Sequence, residues 1–388
     1  MTKPNSPLPR ILIYVQHLLG VGHLHRIAAI ARALAKQDFA VLLVSGGYPD
    51  PTLGRLDGIR FAQLPPARAA DASFRIVLDE AGQQVDEAWW DKRRAALFSL
   101  FDDWRPAIVI TELFPYARRP MRHELLPWLA HIRSSQPRPL VLSSVRDILV
   151  DRTKPERDLD VLNWLDSYYD GTLVHGDPAF IPFEQTFPLA HRISTPLHYT
   201  GYIVEHEDLL PTSAGRDEVL VSAGGGAVGM PLFNAAIAAR PLSQAAGLTW
   251  RLLVSRNESD ADVAALRAEA AGQPGVIVDW ARPDFPGMLR QCRLSISKAG
   301  YNTVMETLAA RARAVVVPFS GGDETEQALR ADLLAQRGAV QALRESDLSP
   351  ANLAQAVDRA LALPLPEKPV LDLNGAANTA ALLRRLLP

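Results

Sequence analysis

Short, nearly continuous apolar runs alternate along this chain with stretches in which apolar residues recur every three or four positions. In the first half, "RILIYVQ", "AVLLVSG", "AIVIT", "LVLSSV" and "GTLVHG" read as buried strands, and "RIAAIARALAKQ" reads as an amphipathic helix between the first two. That rhythm predicts a parallel sheet wound with helices, because parallel neighbours need a crossover connection. The second half restarts it with "EVLVSAGG", "NAAIAARPL", "WRLLVS", "DVAALRAEA", "VIVDW", "LSISKAG", "TVMETLAA" and "AVVVPF". A second unit of the same class is expected there. Between the halves, "TGYIVEHEDLLPTSAGRDE" carries turn residues and charges without a period, so it reads as the linker. The predicted domains are therefore 1–205 and 206–388, the second closing with a helix in "LNGAANTAALLRRLLP".

Composition supports two packed cores. The chain has 388 residues, 48% hydrophobic and 22% charged, too long for one ordinary core and too apolar for disorder. A formal net charge of -2 argues against nucleic acid as a partner, so any phosphate is expected to be met locally. The single cysteine, Cys292, excludes an intrachain disulfide and a cysteine-rich zinc site. With no signal-like N-terminus and no run of about 18 apolar residues, the expectation is a cytoplasmic protein without a transmembrane segment. No histidine or carboxylate spacing calls for a catalytic metal, and no cofactor is expected.

Ligands of open α/β sheets sit outside the C-terminal ends of the strands, and four loops there hold unusual residues. "GVGHLHR" places Gly20, Gly22, His23, His25 and Arg26 at the start of the first helix, more glycine and imidazole than a plain strand-to-helix turn uses. "SAGGGAVG" contains Gly224, Gly225 and Gly226, whose amides could approach a diphosphate at a helix N-terminus or simply form a tight turn. It lacks the dinucleotide fingerprint, so a nicotinamide cofactor is poorly supported. The remaining two loops are "SKAGYNTVMETL" and "PFSGGDETEQ".

From Ser297 to Gln327 the order and spacing of residues resemble the donor-binding segment of glycosyltransferase family 28, which includes the lipid II-forming enzyme of peptidoglycan synthesis, and of the broader GT-B superfamily. The resemblance implies an α/β GT-B fold, two Rossmann-like doubly wound domains facing across a cleft. It also implies that Lys298, Gly300, Asn302 and Thr303 line the nucleotide and its phosphates. By the same resemblance Glu306 accepts hydrogen bonds from the ribose, and Gln327 contacts the donor sugar with Asp323 and Glu326 beside it. A first-turn position on the helix would favour the Glu306 carboxylate electrostatically, and a solvated dipole-complementing carboxylate is its alternative reading. Arg330 and Ala331 depart from the Asn-Ala pair often found in the family, and Gly226 stands where the lipid II-forming enzyme has a serine.

"GVGH" resembles the glycine-rich loop of the superfamily's N-terminal domain, where a histidine is the proposed base. His23 is the candidate catalytic base, because a neutral imidazole can take a proton from a hydroxyl near pH 7; a helix-start histidine bonded to backbone is the alternative. Arg26 is expected to make a phosphate contact or a surface pair. Glu112, Arg146 and Asp147 follow strands and either orient an acceptor or form caps and internal ion pairs. Arg256, with Lys298, is assigned to the leaving diphosphate. Residues 118–133 read as an amphipathic helix packed on its own domain, with an interfacial, peripheral-membrane role as the alternative.

The implied activity is metal-independent, inverting transfer of a hexosyl or N-acetylhexosaminyl group from a nucleotide diphosphate donor, UDP-sugar first, to a hydroxyl acceptor, lipid-linked or a small metabolite. Two rivals stay open. "GVGHLHR" also satisfies the "GxGHxxR" pattern of nucleotide-sugar hydrolases of pseudaminic acid synthesis, and a non-catalytic nucleotide-sugar binder would share the donor segment.

Overall fold

Each predicted strand is apolar on both sides, which suits a sheet covered by helices on both faces. The computed structural model describes residues 8–51, 53–71, 74–149, 155–204, 212–224, 229–321 and 325–387. They divide into one unit of residues 1–205 with 374–388 and a second of 206–373.

The first unit runs β1 (Arg10–Val15), α1 (Gly22–Lys36), β2 (Ala40–Ser45), β3 (Ile59–Gln63), and a small antiparallel pair, β4 (Arg68–Ala69) with β5 (Val77–Leu78). It continues with α2 (Glu87–Trp104), β6 (Ile108–Glu112), α3 (Arg122–Ser134), β7 (Leu140–Arg146), α4 (Pro155–Tyr168), β8 (Gly171–His175) and β9 (Leu197–Tyr199). The sheet order is β3-β2-β1-β6-β7-β8-β9, all parallel. Alternate residues of β1 serve opposite faces, as the pleat requires: Leu12 and Tyr14 pack with Leu97 of α2 and Trp128 of α3, while Ile11, Ile13 and Val15 pack with Leu24 and Ile27 of α1. Within residues 118–133, Leu125, Trp128 and Leu129 are buried in this core, so that helix spends its apolar face inside its own unit.

The second unit runs β10 (Val219–Ser222), α5 (Met230–Ala239), β11 (Trp250–Val254), α6 (Asp260–Ala271), β12 (Val276–Trp280), α7 (Phe285–Gln291), β13 (Leu294–Ser297) and α8 (Tyr301–Ala309). Then come β14 (Ala314–Val316), α9 (Glu326–Gln336), β15 (Gln341–Ala342) and α10 (Pro350–Ala362). Its parallel sheet has the order β12-β11-β10-β13-β14-β15. In both units the chain starts in the middle, winds one way for three strands and then reverses. The crevice at the reversal lies between β1 and β6 in the first unit and between β10 and β13 in the second, the place where such sheets bind ligands.

The closing helix α11 (Gly375–Leu386) corrects the expected domain content, because it packs on the first unit rather than the second. Ala380 and Leu383 join the cluster of Ile11, Ile13 and α1, Gly375 N donates to Tyr202 O at 2.9 Å, and Asn378 Nδ2 donates to Thr200 O at 2.9 Å. A Cβ on Gly375 would lie 2.3 Å from Gly201 O, so only glycine allows this approach.

Candidate functional site

At the reversal point of the first unit, β6 ends in Glu112 directly beside β1, and α1 begins above it. His23 Nδ1 lies 2.9 Å from Glu112 Oε1, and Arg26, one turn further along α1, donates to the same oxygen. The Arg26 NH2 group is also 2.9 Å from His23 Nδ1. Because its nearest acceptor is the carboxylate, the proton between His23 and Glu112 belongs on Nδ1, leaving Nε2 as the basic nitrogen. Ser144 Oγ, from the neighbouring β7, donates to Glu112 Oε2 at 2.5 Å and lies 2.9 Å from His175 Nε2; His175 Nδ1 is 2.8 Å from Thr200 Oγ1. A buried relay thus fixes the carboxylate that fixes the imidazole.

Glu112 and Arg26 are 1% and 4% exposed, so the charges hold each other in place. Burial pushes the Glu112 carboxyl up, but the Arg26 guanidinium and the hydrogen bonds from His23 and Ser144 overcome it and bring the pKa down to about 2. Burial lowers His23 to about 3; the hydrogen bond to Glu112 opposes this, and the charges of Arg26 and Arg118 add to it. His23 is therefore neutral near pH 7, with Nε2 unprotonated. Arg26 is an internal partner, which corrects its expected phosphate contact or surface pairing.

Other first-unit residues divide clearly. Asp147 is fully buried, accepts from Ile148 N at 2.8 Å and from the Tyr202 hydroxyl, and so holds the core together rather than an acceptor. Arg146 is half-buried at the end of β7. Burial and the nearby charge of Arg146 lower Arg118 to about 10. Gly20 is exposed with open space around it, and Gly22 is the first residue of α1. His25 points elsewhere, its Nε2 2.8 Å from Asp50 Oδ2.

Sequence reading missed a second buried cluster below the same loops. Arg93 donates to both oxygens of Glu124, at 2.5 and 2.7 Å, and to Gln16 Oε1 at 2.8 Å, while Tyr14 Oη donates to Glu124 Oε1 at 2.5 Å. Arg93 also donates to Gly46 O at 3.0 Å and Pro65 O at 2.5 Å, tying three loops at the strand ends. Its only sequence signal was a charged residue on the apolar face of a helix.

The reversal point of the second unit is built from backbone. Gly224, with φ +76°, follows β10, and a Cβ there would lie 3.8 Å from Thr303 Oγ1 on α8, so the two loops converge. Gly300 caps α8 with open space where a Cβ would be. Asn302, Thr303 and Glu306 are half-buried on that helix. Glu306 is its sixth residue, so the first-turn argument for its carboxylate does not hold. Arg256 is exposed beyond β11 with its guanidinium 5.2 Å from the Trp280 ring centre.

Two donor assignments change. Lys298 is 3% exposed and paired with Glu345, which also accepts from Ser320 N and Oγ, both at 2.8 Å; the lysine anchors the 318–321 loop instead of facing a diphosphate. Glu326 is 3% exposed and paired with Arg330, whose guanidinium also donates to Ala299 O at 3.2 Å and sits 5.3 Å from the Tyr301 ring centre. The Arg330 departure is thus an internal clamp between α9 and the start of α8. Gln327 Oε1 accepts from Phe319 N at 3.1 Å. Gly225, Gly226 and Asp323 lie outside the described residues.

Residues 256–378 match the glycosyltransferase family 28 C-terminal domain. The chain is 28% identical over 183 residues to the UDP-N-acetylglucosamine--N-acetylmuramyl-(pentapeptide) pyrophosphoryl-undecaprenol N-acetylglucosamine transferase of Sphingopyxis alaskensis, covering 45% of this chain and 46% of that one. It is 30% identical over 155 residues to the Brucella canis protein of the same name, covering 39% and 40%. The chain thus matches less than half the length of these relatives. Among solved structures it is similar to the glycotransferase of kitacinnamycin, at 16% identity and TM-score 0.63, covering 99% of this chain and 100% of that one. It is also similar to MurG of Acinetobacter baumannii, at 15% identity and TM-score 0.58, covering 97% and 99%. The fold is GT-B.

Proposed function

With a glycosyltransferase family 28 C-terminal domain on a GT-B fold as the premise, we propose that this protein transfers a sugar from a UDP-sugar to a hydroxyl acceptor with inversion and without a metal. The observation that carries the reading is His23 held by Glu112 at the crevice of the first sheet. Nε2 of His23 takes the proton of the acceptor hydroxyl as its oxygen attacks the anomeric carbon and the bond to the nucleoside diphosphate breaks. Glu112 keeps Nδ1 protonated and stabilises the imidazolium that forms. On the second unit, Gly224, Gly300 and Thr303 receive the diphosphate, Glu306 the ribose and Gln327 the sugar; Arg256 assists the departing charge. A hexosyl or N-acetylhexosaminyl donor is the first choice, since the relatives are named for N-acetylglucosamine transfer. A lipid-linked acceptor, reached from the cytoplasm by peripheral membrane contact, would suit the pyrophosphoryl-undecaprenol for which those relatives are named; none of the described helices is long and apolar enough to cross a membrane.

A thermal-shift screen against UDP-, GDP- and dTDP-sugars tests the donor, because a ligand of the native state raises the melting temperature. UDP-sugars are expected to raise it most, and no shift with any of them would overturn the reading. The hydrolase reading draws on the "GxGHxxR" pattern, whose histidine and arginine meet at Glu112. UDP release at full rate without an acceptor would favour it.

A further inference from the structure

The carboxylate that orients His23 is held from its far side by groups that take no direct part in the proposed chemistry. Glu112, Ser144 and His175 lie at or near the C-terminal ends of β6, β7 and β8, and Thr200 follows β9, so adjacent parallel strands set them in a row across the sheet. Ser144 and His175 are fully buried and Thr200 is 2% exposed, so a donor or acceptor left unmatched in this row would be destabilising.

The protons of the row can be placed one after another. Glu112 is ionised and only accepts, and the single proton of the Ser144 hydroxyl goes to its Oε2 at 2.5 Å. Ser144 Oγ, 2.9 Å from His175 Nε2, must then accept, so Nε2 carries a proton. Burial, aided by the charge of Arg26 and opposed by Glu112, lowers His175 to about 3, so near pH 7 the ring has no second proton. Nδ1 is therefore an acceptor, and the Thr200 hydroxyl 2.8 Å away is its donor. Every proton in the row points toward Glu112, an arrangement in which each hydrogen bond polarises the next.

The opposite tautomer of His175 would undo this. With the proton on Nδ1, Thr200 would turn its hydroxyl to Gly201 O at 3.2 Å, the bare Nε2 would draw the Ser144 proton, and Oε2 of Glu112 would lose its donor. The Arg26 guanidinium, which already reaches Oε1, could then take both oxygens as a fork and draw the carboxylate away from His23 Nδ1. Thr200 is itself fixed through its backbone: its N donates to Val174 O at 3.0 Å, and its O accepts from Asn378 Nδ2 of α11 at 2.9 Å.

We propose that His175 and Thr200 are positioning residues for the proton transfer: Thr200 selects the His175 tautomer that commits Ser144 to Glu112 and leaves Oε1 of Glu112 facing His23. As an account of catalysis this rests on His23 being the base; as an account of which atoms carry protons it does not.

Long-range proton–nitrogen NMR correlation on the whole protein, isotope-labelled in its histidine rings and held at pH 7, reads which nitrogen of each ring is protonated. Signals of His23 and His175 are assigned by their loss in His23→Ala and His175→Gln. For His175 a proton on Nε2 and a bare Nδ1 are expected; the opposite tautomer, or a ring protonated on both nitrogens, would overturn the proposal. Thr200→Val removes the donating hydroxyl but keeps the shape of the side chain. It should turn the single His175 tautomer into a mixture and shift the ring nitrogens of His23, although none of the hydrogen bonds of Thr200 reaches that ring. Thr200→Ser keeps the hydroxyl and should give the wild-type spectrum for both rings. Thr172→Val, on the same strand as His175, breaks a buried hydrogen bond with the Tyr116 hydroxyl outside the row and should leave His23 unshifted. A His23 shift that is absent in Thr200→Val, persists in Thr200→Ser, or appears equally in Thr172→Val would make Thr200 a packing residue and overturn the proposal. Thermal melting reports that each variant is folded. Ser144→Ala cuts the row at its centre and should shift both rings, which supplies the same test if Thr200→Val does not fold. If the spectra behaved as expected while His23→Ala kept its turnover, the transferase role of His23 would fall and the order of protons would stand.

Discussion

The two crevices occupy the same place in two sheets of the same winding, yet they are furnished in opposite ways. Between β1 and β6 the first unit buries charged side chains, Arg26 and Glu112, and holds His23 over them. Between β10 and β13 the second unit brings backbone to the surface, with Gly224 at positive φ and Gly300 opening the start of α8. The difference follows the chemistry proposed for each crevice. Proton transfer needs one nitrogen in one orientation and one protonation state, which only a packed side-chain network can impose. A diphosphate needs several N–H groups at close range, and a Cβ there would stand in the way.

The sharpest way to break this comparison is to remove the imidazole. His23→Ala should lower turnover roughly 10²- to 10⁴-fold and leave UDP affinity unchanged. If steady-state kinetics showed most of the turnover retained, the first crevice would have no catalytic part.

Glu112→Gln separates stability from chemistry in the same unit. It leaves Arg26 buried without its counter-charge, which should cost about 3 to 5 kcal/mol in denaturant unfolding. Calorimetry should find UDP binding by the second unit intact.

In the second crevice, Glu306→Ala removes a charged hydrogen-bond acceptor worth about 1.5 to 3 kcal/mol, or roughly 10- to 150-fold in UDP affinity. Glu306→Gln should fall between the two. Equal UDP affinity in all three proteins would detach α8 from the donor site.

A smaller loss is expected from Gly224→Ala. Its φ of +76° disfavours any side chain by about 1 to 2 kcal/mol, seen as a lower melting temperature. UDP affinity should fall as well, whereas a stability loss alone would make the glycine only a turn residue.

The smallest effect is expected near neutral pH. With His23 at about 3, its protonation state does not change between pH 8 and 6, so any acid limb that it sets lies well below its ordinary 6.5. An acid limb centred near 6.5 that vanished in His23→Ala would contradict this burial. Further acidification costs stability. Between pH 6.5 and 3 the unfolded chain binds protons at His23 and His175 that the folded chain refuses, so the melting temperature should fall with pH throughout that window.

Much of this architecture was legible because strands and helices announce themselves locally. The apolar runs at 10–15, 40–45 and 219–222 are strands. Short elements with weak patterns were not read: β3, the β4–β5 pair, β9 and β15 carry few residues each. The errors within the donor segment share one cause. Lys298 and Glu326 have the residue types of a polar site, but Lys298 meets Glu345 and Glu326 meets Arg330, and ion pairing turned them inward.

By itself, then, the sequence determined what is local: the alternation of strand and helix, the glycines that open the loops, and a histidine at the first turn of α1. Only the tertiary structure decided what those residues meet. Glu112 lies 89 positions from His23, and Asn378 lies 178 from Thr200; both pairs form because crossover connections set β6 beside β1 and return α11 to the first sheet. The pKa of His23 arises in the same way, from burial and charge supplied by distant segments. No local pattern encodes these properties, since solvation and Coulomb interaction depend on distance in space rather than along the chain.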